Sequence, residues 1–551
     1  MEFMPSAHVD TFARDHLPSP DRWPGLRPLP HPARLNCGAE LLDGTIARLG
    51  ADRPAVLDGA GGVWTYGELK ENVDRIAHTL TDDLGVLPGH RVLLRGPTTP
   101  WLAACWLAVM KAGAVAVTVL AAQRPRELAT ICGIADIRHA LCDTRSTDGL
   151  ANARIPHLRI TPYGGDTADD LLWRAVHKPP SYTPVETSAD DVALIAFTSG
   201  TTGRPKACAH FHRDVLAVAD TFSAHVLRPR PDDVFAGSPP LGFTFGLGGL
   251  VIFPLRAGAS TVLADWGGPE RLLGDVQRHR ISVLFTAPTA YRSMLGALHG
   301  HDRPYDVSSL RRCVSAGEHL PAALWHDWHR ATGLRLINGI GATEMLHIFI
   351  SAADEAARPG ATGLPVPGYE ACVLGPDGRP VPDGRLGLLA VRGPTGCRYL
   401  VDADAGADAY ARQRDYVRNG WNITGDTYIR DTDGYFTFVA RADDMIVSAG
   451  NNIAGPEVEE ALLRHPDVRE AAVVGRPDAH RGAIVVAYVV LRDGVPRGPE
   501  TVARLREFTK KEIVPYKCPR EIVFLDTLPR TPTGKLQRFR LRSGPLQFPR
   551  D

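Results

Sequence analysis

At 551 residues the chain exceeds what a single hydrophobic core normally supports, so two or more domains are expected. Hydrophobic residues make up 44% and charged residues 23%, and 62 basic against 62 acidic side chains leave no formal net charge. That balance excludes the basic excess by which nucleic-acid-binding and membrane-surface proteins attract their partners.

Residues 1–32 are polar and proline-rich, with no apolar signal core. Over 41–191, amphipathic helical stretches alternate with short β-branched runs such as 91–94 and 114–120. This is the pattern of βαβ units and a mainly parallel sheet. The stretch 101–122 carries one charge, Lys111. Its first half reads as a helix ending at Gly113 and its second half alternates Ala and Val, which predicts helix then buried strand rather than a membrane span.

The run Val192-Ala193-Leu194-Ile195-Ala196-Phe197 reads as a buried strand that empties into Thr198-Ser199-Gly200-Thr201-Thr202-Gly203-Arg204-Pro205-Lys206. Small residues let successive backbone N–H groups close around an anion, and the hydroxyls and Lys206 add donors. The segment predicts a polyphosphate-gripping loop. It is not the common P-loop, whose lysine is followed directly by Ser or Thr; here Ala207 follows Lys206.

The helix–strand alternation resumes over 233–349, with strands expected at 281–286 and 311–315. Over 363–440 short strands, such as 370–374 and 387–391, are separated by Pro-Asp-Gly turns, as in a small barrel. Arg441-Ala442-Asp443-Asp444 is a charged connector. A helix comes next at 456–463, with proline in its first turn and acids at the positive end of its dipole, then strands at 471–474 and 483–491. The expected architecture is α/β: a large N-terminal domain, 1–440, of helix-covered sheets plus a small β-barrel, and a small α+β C-terminal domain, 441–551.

Nine cysteines without a C-x-x-C pair argue against a disulfide framework or zinc site and favour a reducing cytoplasm. The histidine pairs His210/His212 and His326/His329 lack the ligand spacing of a zinc motif and read as surface or loop residues.

Four further segments succeed the glycine-rich loop in order: Asn338-Gly339-Ile340-Gly341-Ala342-Thr343-Glu344, Thr424-Gly425-Asp426, the connector 441–444, and Pro532-Thr533-Gly534-Lys535. Each alone is a weak signal. Together, and over essentially the whole chain, they resemble the adenylate-forming superfamily of acyl- and aryl-CoA ligases, adenylation domains and luciferases. The resemblance implies attack of a carboxylate on the α-phosphate of ATP, loss of pyrophosphate, and then attack by the thiol of coenzyme A. Two anions must meet, so positive charge and directed donors have to offset their repulsion.

By that resemblance Thr198, Ser199, Gly200, Thr201, Thr202, Gly203 and Lys206 would grip the β- and γ-phosphates. Thr343 would hydrogen-bond the α-phosphate, and Glu344 would hold Mg²⁺, a hard cation that prefers oxygen ligands. Gly317, Glu318 and His319 would pack against adenine, with Ile340, Gly341 and Ala342 part of the same nucleotide site. Asp426 would accept from the ribose hydroxyls, and Arg441 would touch the nucleotide from the far side. Lys535 would bridge the carboxylate and α-phosphate. A mobile C-terminal domain would then swing about Asp443, and Gly450 would line the pantetheine tunnel. Ile340 stands where the wider superfamily usually has an aromatic residue, which implies weaker adenine stacking.

Residues 239–246 occupy the segment that often carries a gating histidine in aryl ligases, or an aspartate in adenylation domains that recognise an α-amino group. Phe243 replaces both, so an unpaired ammonium would be costly there and an α-amino acid is not expected. Phe243, Phe245, Ala316, Gly341 and His347 suggest a flat, mostly apolar slot with one polar handle, suited to a planar aromatic acid. His347 would either hydrogen-bond a ring substituent or shape the wall. In detail, residues 7–15, 239–255, 341–351 and 392–399 resemble the benzoate-CoA ligase family, and within it 2-aminobenzoate (anthranilate)-CoA ligases.

The implied partners are a small aromatic carboxylic acid, ATP with Mg²⁺, and coenzyme A. Benzoate and salicylate remain open beside 2-aminobenzoate, because one ring substituent is worth only ~1–3 kcal/mol. Two other readings stand. An aryl-acid adenylating enzyme that loads a carrier protein would lack a basic site for the CoA nucleotide, and no such site is identifiable in the sequence. A non-catalytic ligand sensor would show decayed motifs, whereas Lys206, Glu344, Asp426 and Lys535 are all present. Nucleic-acid and membrane binding have no supporting feature, and the oligomeric state, monomer or homodimer, is left open.

Overall fold

Strands buried on both faces need near-continuous apolar sequence, and that requirement shapes the larger part of the molecule. The computed structural model describes residues 5–198, 205–265, 267–298, 305–401, 410–449, 451–478, 480–530 and 536–542. By its internal contacts the chain divides into a first unit, Met1–Ala316, Ala322–Ala371 and Val391–Ile423, and a second, Gly317–Pro321, Cys372–Ala390 and Thr424–Asp551.

The first unit holds two large sheets. One has six strands in the order Arg159–Tyr163, His139–Asp143, Arg91–Gly96, Val115–Leu120, Val192–Thr198 and Lys206–Phe211. All neighbours run parallel except the last pair, an antiparallel hairpin. Leu93, Val115, Val117, Val192 and Ile195 form its core with helix residues Leu128 and Ile131. The other sheet has nine strands, its parallel centre running through Val234–Gly237, Val283–Thr286, Arg312–Ser315 and Leu336–Gly341. The antiparallel strand Ile348–Ser351 returns beside Leu336–Gly341.

The low-charge stretch folds as expected, into the helix Pro100–Lys111 and the strand Val115–Leu120. Thr99 caps the helix by accepting from the Leu102 N–H, and proline stands in the first turn. The fully buried Lys111 ammonium pairs with Asp74 and, at 2.9 Å, with Asp43. Among the described residues no helix is long and apolar enough to cross a membrane.

In the second unit a three-stranded sheet, Val468–Asp478, Gly482–Leu491 and Glu521–Phe524, packs with the helices Gly455–Leu463 and Pro499–Glu512. Val458, Leu462, Val473, Val485 and Leu505 form its core. The second unit also holds an antiparallel pair in which Asp426 to Arg430 lie against Phe436–Arg441.

One expectation fails. His210 and His212 are fully buried, not surface residues. The strand Lys206–Phe211 is flanked on one edge by Val192–Thr198. On its other edge it meets the segment through Tyr399, where Ala209 N–H donates to the Arg398 carbonyl and Leu400 N–H to that of Ala207. A strand enclosed in this way buries polar and apolar side chains alike. All nine cysteines are free thiols.

Candidate active site

Thr198 and Lys206 face each other at the open end of the antiparallel hairpin, paired directly across the ladder. Ser199, Gly200, Thr201, Thr202 and Gly203, which would form its tip, lie outside the described residues, as do Lys535 and Gly450. The Lys206 ammonium lies 5.3 Å from the centre of the Tyr399 ring, a cation–π contact that keeps the charge beside the hairpin.

The strand Leu336–Gly341 delivers the second predicted segment. A Cβ at Gly341 would stand 2.8 Å from the His347 carbonyl oxygen, so only glycine lets the chain fold back so closely. Thr343–Met345 make one tight helical turn, and the chain returns along Ile348–Ser351. Glu344 is buried and its carboxylate accepts a hydrogen bond from the Tyr399 hydroxyl. Burial pushes this carboxyl above its ordinary range, the Cys208 sulfur adds to the push, and Tyr399 and Lys206 resist it. Among the described residues no three His, Cys, Asp or Glu side chains cluster as a metal cage. A single buried carboxylate nonetheless fits Mg²⁺, which is commonly held by one or two carboxylates together with substrate phosphates.

Beyond Glu344 the environment changes. The His347 ring is 3% exposed and lies among Phe253, Phe222, Phe245 and Phe285, at centroid distances of 4.5, 5.5, 5.7 and 6.4 Å. Among the described residues no hydrogen bond of ordinary geometry reaches either ring nitrogen, and only the Phe245 backbone acts to favour the charged ring. Burial pushes its pKa down to about 3, so the imidazole is neutral at pH 7. A Cβ at Gly248 would lie 2.3 Å from its Cδ2, which makes that glycine the gap the ring occupies. Of the residues expected to line the slot, Phe245 meets the imidazole directly, Phe243 is half-buried and Ala316 is buried. Sequence reasoning missed Phe222, Phe253 and Phe285. They come from distant segments and carry no spacing signal that would gather them around residue 347.

The second unit holds the remaining predicted residues. Asp426 and Arg441 are paired across an antiparallel ladder and joined by an ion pair of 3.1 Å. Arg441 also donates to the Thr424 carbonyl at 3.1 Å, which aims its guanidinium along the strand end. Asp443 lies 3.7 Å from Arg441, and its carbonyl accepts from Arg542. Gly317 adopts φ +88°, a conformation that favours glycine. Glu318 lies 3.6 Å from Arg530, and the His319 ring is 5.5 Å from that of Phe438. Thr198, Lys206, Thr343, Glu344 and His347 thus belong to the first unit, and Gly317, Glu318, His319, Asp426 and Arg441 to the second.

Comparison with known proteins places these arrangements in context. The profile of the AMP-binding enzyme family matches residues 43–399, and that of the AMP-binding enzyme C-terminal domain matches residues 457–535. The chain is 32% identical to a benzoate–CoA ligase of Thauera aromatica, over 93% of this chain and 97% of that one. It is 32% identical to a 3-hydroxybenzoate–CoA ligase of Aromatoleum sp. (strain CIB), over 92% and 96%. The crystal structure of an anthranilate CoA ligase in complex with anthranoyl-AMP superimposes with a TM-score of 0.86 at 32% identity, covering 93% of this chain and 98% of that one.

Proposed function

Because the chain belongs to the AMP-binding enzyme family, we propose that it is an AMP-forming aryl-CoA ligase whose preferred acid is 2-aminobenzoate. In the first half-reaction a carboxylate oxygen bonds to the α-phosphorus of ATP as the bond to pyrophosphate breaks. In the second, the thiol sulfur of coenzyme A bonds to the acyl carbon and AMP leaves.

The dry cage around His347, three residues from Glu344, carries the aromatic reading. An α-ammonium or a second carboxylate would be stranded there without a partner, whereas a flat ring stacks well against phenylalanine. A neutral imidazole offers one N–H and one lone pair. An ortho amino group, itself uncharged on an aromatic ring, can donate to that lone pair. The likeness to an anthranilate CoA ligase supports this choice. Benzoate and 3-hydroxybenzoate, which name two relatives, differ from it by one small group.

In this scheme Thr198, Lys206 and the loop 199–203 hold the β- and γ-phosphates, and the Thr343 hydroxyl meets the α-phosphate. Glu344 would hold Mg²⁺, which supplies neutralising charge on the phosphate oxygens. Asp426, oriented by Arg441, accepts from the ribose, and Lys535 bridges the two reacting anions. Residues 441–551 turn about Asp443 between half-reactions, and Gly450 leaves room for the pantetheine arm.

The test is mass spectrometry of products formed from ATP, Mg²⁺ and a panel of aromatic acids, with and without coenzyme A. A 2-aminobenzoyl-CoA peak that requires coenzyme A and accompanies AMP supports the reading. Adenylate without thioester would instead identify an enzyme that loads a carrier protein. Stronger turnover of benzoate would correct the acid alone.

A further inference from the structure

The turn that carries Thr343 and Glu344 is strained. Leu346 sits at φ 68°, ψ −38°, near the rare tight-turn region that a branched side chain enters only when its surroundings over-determine it. Three consecutive residues just before it are tethered from outside the turn. The Thr343 carbonyl is 2.8 Å from His210 Nε2, the Glu344 carboxylate takes the Tyr399 hydroxyl, and the Met345 carbonyl is 2.8 Å from Thr395 Oγ1. Because Thr395 spends its one hydroxyl hydrogen on Met345, the Tyr369 hydroxyl 2.8 Å away donates to it. Thr395 and Tyr399 belong to one segment, and that segment is bridged to the strand bearing Lys206 and His210. The phosphate hairpin and the tethers therefore form one framework.

His210 is the tether with the clearest chemistry. A carbonyl can only accept, so Nε2 carries the hydrogen; Nδ1 lies 4.0 Å from the Asp214 carboxylate, and the ring also interacts with the buried Cys208 sulfur. Burial disfavours the charged ring, while Cys208 and Asp214 favour it strongly enough to raise its pKa. Neutral or charged, the ring keeps hydrogen on Nε2, so the tether persists in both forms.

We propose that His210 is a positioning residue for adenylate formation: its Nε2–H fixes the Thr343 carbonyl and, together with Thr395, holds the strained turn in the geometry that presents the Thr343 hydroxyl and the Glu344 carboxylate to the reacting phosphates. The proposal rests on the adenylate-forming reading above.

The experiment compares full-length wild type with His210→Phe, which fills the space without a donor, and His210→Gln, whose amide nitrogen reaches the place of Nε2. Pyrophosphate exchange gives kcat and KM for the first half-reaction, and a supplied aryl-adenylate with coenzyme A reports the second. A small displacement of catalytic groups costs up to roughly 10²-fold. His210→Phe is therefore expected to lower kcat of adenylate formation by ~10–10², with KM for ATP and the second half-reaction changed by less than about threefold. His210→Gln recovers most of the loss. Equal loss in both half-reactions, a rise in KM at unchanged kcat, or a glutamine variant no better than phenylalanine would overturn the role.

Thr395→Val, which removes the hydroxyl at nearly constant volume, supplies the same readout if His210→Phe does not fold. The same split supports the framework, and equal losses reject it. A wild type that forms no adenylate with any aromatic acid defeats the functional reading and the proposal with it. An active wild type whose variants match it defeats the positioning role alone.

Discussion

Glu344 and His347 stand three residues apart on one turn and are both buried, yet their surroundings are opposite. Around Glu344 lie a donating hydroxyl, a lysine and a tethered backbone. Around His347 lie four phenylalanine rings and, among the described residues, no polar side chain that meets its nitrogens. Burial penalises the charged form of each, so the carboxyl rises and the imidazole falls. The neighbouring groups set the chemistry each end can host. At the first end, charge is opposed but provided for, which suits a cation and a polyphosphate. At the second end only the Phe245 backbone offsets the burial of charge, which suits a neutral ring.

The comparison breaks most sharply at Glu344. Glu344→Gln should lower the rate of adenylate formation by about 10²–10³, the usual cost of removing one preorganised electrostatic contact. The same variant should not lose thermal stability at neutral pH. A carboxyl whose folded pKa is raised binds extra proton in the native state, so stability falls as pH rises through that window and the ionised group is a cost that glutamine removes. Calorimetry beside pyrophosphate exchange checks both; a fall in Tm with an unchanged rate would make Glu344 purely structural.

Tyr399→Phe should come next. Hydrogen bonds to charged groups are worth about 1.5–3 kcal/mol, and losing this one pushes the Glu344 carboxyl higher still. The acid limb of the pH–rate profile should move to higher pH, and an unmoved limb would show that Tyr399 does not tune Glu344.

At the other end, His347→Leu should leave adenylate chemistry intact while changing the preference between 2-aminobenzoate and benzoate by roughly 1–3 kcal/mol. An unaltered ratio of kcat/KM values would reduce His347 to a wall. A last effect is on stability, spread thinly over the pH scale. Since His347 titrates near 3 when folded and near 6.5 when unfolded, the unfolded state binds the extra proton between those values. Acidification therefore destabilises the wild type there by about 1.4 kcal/mol per pH unit from this residue. Denaturant melts of His347→Leu should show a correspondingly shallower slope from pH 6.5 downward.

Much of this was legible from the chain. The alternation of apolar runs placed the sheets, because a strand buried on both faces leaves its mark in every residue it contains. Thr198, Lys206, Thr343, Glu344 and Asp426 were singled out only through the order of five segments that each carry a weak signal alone; the structure pairs Thr198 with Lys206 and buries Glu344. The aromatic cluster around His347 was only half visible: Phe245 and His347 were named, whereas Phe222, Phe253 and Phe285 were not. His210 was misread as a surface residue, since local pattern records a side chain's type and not what covers it.

The sequence by itself determined the order of elements, the glycine-rich loop after a buried strand and the family resemblance, all of which depend on neighbours along the chain and on spacing. Only the tertiary structure decided that His347 is dry and neutral, that Glu344 is held by Tyr399, and that His210 reaches the Thr343 carbonyl. Burial, hydrogen-bond partners and pKa arise from atoms brought together across 133 residues in the last case, and no local pattern carries that distance.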